Sequence, residues 1–496
     1  MQDKANGRRE LLRLLALSGF SLFIPSCNRE QEIPKESTYT NKLDTTQNIE
    51  KDINEILDSE NVVFLSKDHP DYNKHRRTYN LRISKYPALI AICNNTDGVA
   101  EAIKTANRLG LKVAVKSGGH SLEGYSSIDE GMQIDLSLMD SKQWLPDNSV
   151  SFGPACRLMN IYDFMLPKGR LLPAGSCGTV GIAGLTLGGG YGFFSRKYGL
   201  TCDHLIGATL VDGLGKIRTV DETDPIMWAL KGGGNGNFGI VTEFVFKTRV
   251  APKSFTQHRF KFRRLNSTRT LEILKKYFEL AKELPDTCFS AFVLNHRNLL
   301  ILITNYGKRS NRLKEILAEF EKLSDKSTIG NPKNLAKSLT TYYGRTSPLP
   351  FKNASAGYYQ GFDSISGFAE DLIQIVFDNP GLIYQINTLG GEINNKNYSS
   401  SSCYPHREMP FISELQAYWQ NDSKQDQLMR AFAQIQDLSI SSGINKHYRN
   451  YPDIRLANWG FSYYGKNYEG LQRIKKELDP EDTFHHTQTI SLPTTT

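Results

Sequence analysis

The 496-residue chain is poor in cysteine, in clustered charge and in long apolar runs. Its seven cysteines include no C-x-x-C pair, so zinc-ribbon and thioredoxin-type chemistry find no support and no metal is expected. An odd cysteine count leaves at least one outside any disulfide. The formal net charge is +8, of which +2 lies in the first 27 residues. The remainder is a mild excess without a Lys/Arg block interleaved with aromatics, so no nucleic-acid partner is expected. The apolar run over 14–24 is too short to span a bilayer comfortably. There is no internal repeat. What is present is ordinary globular composition, 39% hydrophobic and 23% charged, which excludes a disordered or multi-spanning chain. At this length two intimately joined domains are expected.

Residues 1–27 read as a targeting segment. Arg8-Arg9 precedes the apolar run, which ends in Pro25-Ser26-Cys27. GRRELLR is similar to a twin-arginine signal, with Gly7 where Ser or Thr is usual. Ile24-Pro25-Ser26-Cys27 is similar to a bacterial lipoprotein cleavage site, which would make Cys27 the lipidated residue; a signal peptide without lipid, or a simple hydrophobic anchor, are the alternatives. Export to the periplasm or cell envelope is the expectation. Residues 28–54 are polar and read as a flexible tether.

The folded part is expected in three pieces: 55–250, 251–440 and a C-terminal segment, 441–496, returning to the first. Strands are predicted over 87–93, 112–116 and 132–136. A helix over 98–109, capped by Thr96-Asp97 and ended by Gly110, lies between the first two. A hairpin is predicted over 205–220 around Asp212-Gly213, a helix over 224–231 and a strand over 240–246. From about residue 251 glycine thins out. Amphipathic segments at 271–284 and 312–323 join strands at 289–294, 299–305 and 382–389, which predicts an antiparallel sheet with helices laid against it. The fold class is therefore α+β. A last helix is predicted over 468–478, stopped by Asp479-Pro480.

Two glycine-rich stretches organise the first piece. Residues 172–212 place Cys177 among eight glycines before Gly199, and SGGHSLEGYS at 117–126 holds His120. Glycine at this density weakens helices and strands alike, which makes sense where bare backbone must lie against a bound molecule. Backbone N–H groups of such a loop can form an anion nest for phosphates. By itself His120 is equally readable as a surface loop histidine, and Cys177 as an inert buried thiol. Gly234-Asn-Gly236-Asn-Phe-Gly239 matches G-x-G-x-x-G, but helix, glycines and strand come in the reverse of the order a dinucleotide fold requires. A tight turn feeding a strand is the better reading.

KSGGHSLEGYS, GSCGTVGIAGLTLGGGYG, DPIMWALKGGGNGNFGIVTEF and YRNYPD…YYGKN…LDPEDTF…QTI stand in order from about Tyr79 to Ile490. Together they resemble the berberine-bridge-enzyme-like branch of FAD-linked oxidases, in the vanillyl-alcohol-oxidase superfamily. The resemblance implies a PCMH-type FAD-binding domain followed by a substrate domain. It implies FAD bound covalently twice, through His120 at the 8α-methyl and Cys177 at C6. The backbone of Lys116, Ser117, Gly118, Gly119, His120 and Ser121, and the turn from Thr179 through Val180 and Gly181 to Gly184, would wrap the cofactor, with Gly239, Val241, Tyr464 and Asn467 as further contacts. Two anchors would leave the substrate side open to bulky molecules. Tyr448 matches the catalytic tyrosine of many members and Tyr191 a second active-site tyrosine. Gln416 stands where some members have a glutamate base, and Asn387 near an assisting aspartate of certain sugar oxidases. Tyrosine is a poor base at its ordinary value of about 10, so a donor or cation would have to assist Tyr448. A small residue at the place of Val180 accompanies dioxygen access. The implied activity is oxidation of a hydroxyl group of a carbohydrate or other hydroxylated natural product, with dioxygen as acceptor. Oxidative cyclisation or C–N oxidation of an alkaloid-like substrate, and an exported ligand-binding lipoprotein without redox activity, are the competing readings.

Overall fold

The computed structural model describes residues 58–494, so the targeting segment, the tether and Cys27 lie outside the described residues. The described residues form an α+β protein built on three sheets and a two-stranded ribbon. The first sheet contains β1 (Val62–Leu65), β2 (Leu89–Cys93), β3 (Val113–Lys116) and β4 (Met132–Asp135), in the spatial order β1-β2-β4-β3. Both β2 and β3 run parallel to β4. The helix Thr96–Arg108 makes the crossover, and its cap is Asn95, whose side chain accepts from the Gly98 N–H at 2.9 Å. The sequence had placed the cap one residue later. Asp97 instead sits inside the first turn, where a carboxylate favours the helix dipole. The last residues return to this sheet: the Val113 N–H donates to the Thr483 carbonyl at 2.8 Å, so the β3 edge is covered.

The second sheet has the order β5-β6-β10-β8-β9, all antiparallel. Its strands are β5 (Lys142–Trp144), β6 (Ser149–Phe152), β8 (Leu205–Asp212), β9 (Ile217–Asp221) and β10 (Gly239–Lys247), while β7 (Arg170–Leu171) and β11 (Arg249–Val250) form the ribbon. The expected β8–β9 hairpin is present. The Asp212 carboxylate accepts from the backbone N–H groups of Leu214 and Lys216 and so closes the turn. Between β7 and β8 the glycine-rich stretch supports only short helices, Ile182–Leu187, Ser195–Tyr198 and a 3-10 turn at Thr201–His204.

The third sheet is antiparallel and eight-stranded. Its strands are β12 (Ser254–Phe262), β13 (Cys288–Asn295), β14 (Asn298–Asn305), β15 (Lys326–Thr328), β16 (Lys333–Asn334), β17 (Phe351–Tyr359), β18 (Leu382–Thr388) and β19 (Phe411–Tyr418). The order is β15-β12-β14-β13-β18-β19-β17, with β16 beside β12. Side chains alternate between its faces. Phe292, Tyr384, Ile386 and Leu415 join one core with Ile273, Phe320, Leu372 and Phe432 of the covering helices. Their sequence neighbours Ala291, Val293 and Ile383 join the other core, shared with the glycine-rich stretch and β6, β8 and β10. That second face carries Asn353, Gln385, Asn387, Glu414 and Gln416, all buried. The polar residues are why β17 and β19 do not read as strands in the sequence. Both strands are buried along their whole length, yet neither is a hydrophobic run.

Candidate active site

One cavity lies where the two glycine-rich loops meet the polar face of the third sheet. The 117–122 loop leaves β3 at the carboxyl end of a parallel pair, the place where α/β folds present binding loops. Gly118 and Gly181 touch backbone to backbone: a Cβ at position 118 would lie 2.6 Å from the Gly181 nitrogen. Gly119 follows with φ +68°, a conformation that side chains rarely adopt. The turn is pinned by Leu158 and Ile182 N–H groups, which donate to the carbonyls of Val180 and Cys156 at 3.0 and 2.9 Å. This double loop brings His120, Cys177 and Val180 to one cavity with Gly239 and Val241 of β10.

The two anchoring candidates have opposite electrostatics. The His120 ring stacks on Tyr79 with 4.1 Å between centroids. Burial, reinforced by Arg157, pushes its basicity down to about 3, so the imidazole is neutral and nucleophilic. Burial, with the Glu414 charge behind it, pushes the Cys177 thiol up to about 12.

The cavity's other wall is polar. Asn387 Nδ2 donates to the Tyr191 hydroxyl at 3.0 Å, and Tyr191 and Tyr451 share a hydroxyl–hydroxyl hydrogen bond of 3.1 Å. Gln385 Nε2 donates to Asn387 Oδ1 at 2.9 Å, which fixes the amide. Tyr448 packs edge-on against Tyr191 and Tyr451, with centroids at 5.7 and 5.1 Å. Its oxygen accepts from the Gly190 N–H at 2.8 Å and from Asn450 Nδ2 at 3.0 Å. These donors favour the phenolate, but burial outweighs them and raises the phenol above its ordinary value. Glu414 is buried in the same wall and accepts from Asn353 Nδ2 at 2.5 Å. Burial pushes its carboxyl up to about 7 against the lowering pull of Asn353 and Gln416.

Of the residues singled out in the sequence, Ser117, Gly118, Gly119, His120, Ser121, Cys177, Val180, Gly181, Gly184, Tyr191, Gly239, Val241, Asn387 and Tyr448 line this cavity. Five others do not. Lys116 turns its ammonium to Asp135 at 3.2 Å. Thr179 sits behind the turn, where its backbone hydrogen-bonds to His120. Gln416 lies behind Gln385, accepting from the Tyr418 hydroxyl at 3.2 Å. Tyr464 backs Arg449, whose Nε donates to its oxygen at 3.0 Å. Asn467 Nδ2 is spent on the Cys403 carbonyl at 2.9 Å. The sequence reading missed Tyr451, the second tyrosine of Y-x-N-Y-P-D, and the acid–amide set Asn353, Gln385 and Glu414. The one local trace is the alternation of Glu414 and Gln416 about Leu415, which the adjacent Ser413 interrupts.

These residues fit a flavin. A neutral imidazole and a thiol face one cavity. Glycine backbones occupy the space a Cβ would fill. The Ser126 hydroxyl and Asn353 Oδ1, both on the cavity wall, are buried without a hydrogen-bond partner in the protein, and a polar ligand would supply one.

Comparison with known proteins agrees. Residues 87–221 match the FAD binding domain family, and residues 447–491 the family described as berberine and berberine like. An uncharacterised FAD-linked oxidoreductase of Bacillus subtilis is 28% identical over 447 residues, covering 86% of this chain and 96% of that protein. The glucooligosaccharide oxidase of Sarocladium strictum is 29% identical over 468 residues, covering 87% and 93%. A solved structure of glucooligosaccharide oxidase from Acremonium strictum, described with a 6-S-cysteinyl, 8α-N1-histidyl FAD, superposes with a TM-score of 0.77 at 25% identity, covering 86% of this chain and 97% of that one.

Proposed function

Because the chain belongs to the berberine-bridge-enzyme-like FAD-linked oxidoreductases, we propose that it oxidises a hydroxyl group of a carbohydrate or a similarly hydroxylated compound. The observation that carries the reading is the chemistry of the cavity's two walls: a histidine and a cysteine on one, and amides, phenols and one carboxyl on the other. Such a polar wall suits a polyhydroxyl substrate, whose oxygens both donate and accept. His120 and Cys177 hold the flavin covalently, and the glycine backbones around 118 and 181 let it lie close. FAD in such a site supplies two-electron acceptance, the hydride leaving the hydroxyl-bearing carbon and dioxygen serving as final acceptor with release of hydrogen peroxide.

The protein's own part is orientation and proton handling. Asn387 holds the Tyr191 hydroxyl, and Tyr191 holds that of Tyr451, so a substrate oxygen between them meets preset partners. Tyr448, the acceptor expected from the sequence, has two N–H donors on its oxygen and no cation among the groups that shift it. A phenol in that setting stays protonated near neutral pH and needs help. Export through the 1–27 signal and anchoring through lipidated Cys27 complete the proposal. Radiolabelled palmitate incorporation, lost in Cys27→Ser, tests the anchor. For the reaction, peroxide release is measured over a panel of mono- and oligosaccharides and aromatic alcohols. Failure of every hydroxyl substrate to reduce the flavin refutes the reading.

A further inference from the structure

We propose that the Glu414 carboxylate, set in the substrate wall by β19, is the base that takes the proton of the substrate hydroxyl. The inference rests on the hydroxyl-oxidising reading above. Glu414 faces Gln385 across the β18–β19 register, and Asn353 of β17 flanks it on the other side. Those neighbours are amides. Lys352, next to Asn353, points to the opposite face of the sheet and binds Glu123 and Asp453. Among the described residues, no cation is among the groups that shift Glu414.

The titratable groups that feel its charge are Cys177 and Tyr191 from the glycine-rich stretch, Tyr451 from the 448–453 turn and Tyr418 from its own strand. Burial raises all four, so each is protonated and neutral near pH 7. His120 is neutral but too weakly basic to keep a proton, and Arg449, whose affinity for its proton is raised further, is already full. Glu414, held near 7, matches the ideal for a general base working at neutral pH. In the step, the O–H bond breaks and its proton passes to a Glu414 oxygen. The electron pair left behind becomes the C=O bond as the C–H hydride departs to the bound flavin. A rotation of the Asn353 amide would exchange its donor for Oδ1, which is otherwise unpartnered. The carboxyl therefore stays hydrogen-bonded in both protonation states.

The test uses the holoenzyme, with cellobiose and diacetylchitobiose as probes. Anaerobic flavin reduction is followed from pH 5 to 9 in wild type, Glu414→Gln, Glu414→Asp and Tyr448→Phe. The wild-type rate should rise through an inflection near 7. Glu414→Gln should lose the inflection and fall on the order of 10²–10⁴-fold at pH 8. Glu414→Asp should be slower but keep the inflection, as should Tyr448→Phe. Infrared difference spectra of the resting holoenzyme give a readout without turnover: a protonated-carboxyl band should disappear between pH 6 and 8 in wild type and be absent from Glu414→Gln. Undiminished reduction in Glu414→Gln, loss of the inflection in Tyr448→Phe, or no titrating band in wild type overturns the assignment of Glu414. A wild type that no hydroxyl substrate reduces, although the band titrates, overturns the hydroxyl-oxidising reading and with it this role.

Discussion

Lys352→Met should destabilise the protein by about 3–5 kcal/mol, the usual cost of removing one partner of a buried ion pair. The Lys352 ammonium is 2% exposed and contacts Glu123 and, at 3.0 Å, Asp453, whose side chains are 2% and 1% exposed. Arg82 still meets Glu123 at 2.7 Å, so Glu123 keeps a cation in the variant. Asp453 does not: it retains the Gln436 amide at 2.9 Å and the Arg455 backbone N–H at 3.2 Å. Asp453 closes the Y-x-N-Y-P-D turn that carries Tyr448 and Tyr451, so the damage should reach the active site. In wild type its carboxyl lies below the ordinary range, because the Lys352 charge and hydrogen bond, together with the Gln436 and Arg455 hydrogen bonds, outweigh burial. A depressed carboxyl contributes stability above its unfolded value of about 3.9 and loses it as pH falls further. Without Lys352 the sign reverses. Burial then raises the folded carboxyl above the unfolded value, and its penalty grows as pH rises through that raised value. The difference between the proteins should therefore be largest near pH 7 and narrow toward pH 5. Urea unfolding followed by flavin and tryptophan emission at both pH values measures it, with Lys352→Met/Asp453→Asn expected to recover part of the loss. A variant within 1 kcal/mol of wild type at pH 7, or an equal gap at both pH values, would refute the argument.

Three further outcomes are expected. His120→Ala and Cys177→Ala should each keep FAD attached after acid precipitation while the double variant loses it, as read from the absorbance of the denatured protein; loss of all flavin in one single variant excludes attachment at both residues. Gly118→Ala places a methyl 2.6 Å from the Gly181 nitrogen, so the loops must separate at a cost of about 1–3 kcal/mol, and the flavin-to-protein ratio of the purified protein should drop. Tyr191→Phe removes both the Asn387 and the Tyr451 hydrogen bonds; at about 0.5–1.5 kcal/mol for each, KM should rise several-fold, with flavin content unchanged.

Much of the fold could be read in advance where local physics is strong. The helix Tyr468–Leu478 begins and ends as expected because Asp479-Pro480 cannot continue it. The β8–β9 hairpin follows from its Asp-Gly turn. The refusal of a dinucleotide fold at 234–239 holds because the helix Pro225–Leu230 precedes those glycines and β10 follows them. The two missed strands of the cavity wall share one cause. Strands β17 and β19 carry amides, a lysine, a glutamate and glycine, and such strands look like loops until it is known that one face lines a cavity.

By itself the sequence determined the class of chemistry. Two glycine-dense loops, each with one reactive side chain, demand a ligand held against bare backbone, and four ordered motifs specify which. Only the tertiary structure decided which side chains share the cavity's polar wall. Whether a carboxyl or a phenol ionises near neutral pH depends on burial and on which charges face it. Glu414 meets Asn353, Gln385, Tyr191 and Tyr451 only when β17, β18 and β19 align beside the glycine-rich stretch and the C-terminal turn. Tyr191 and Tyr451 lie 260 residues apart in the chain, so no local pattern records that these partners meet.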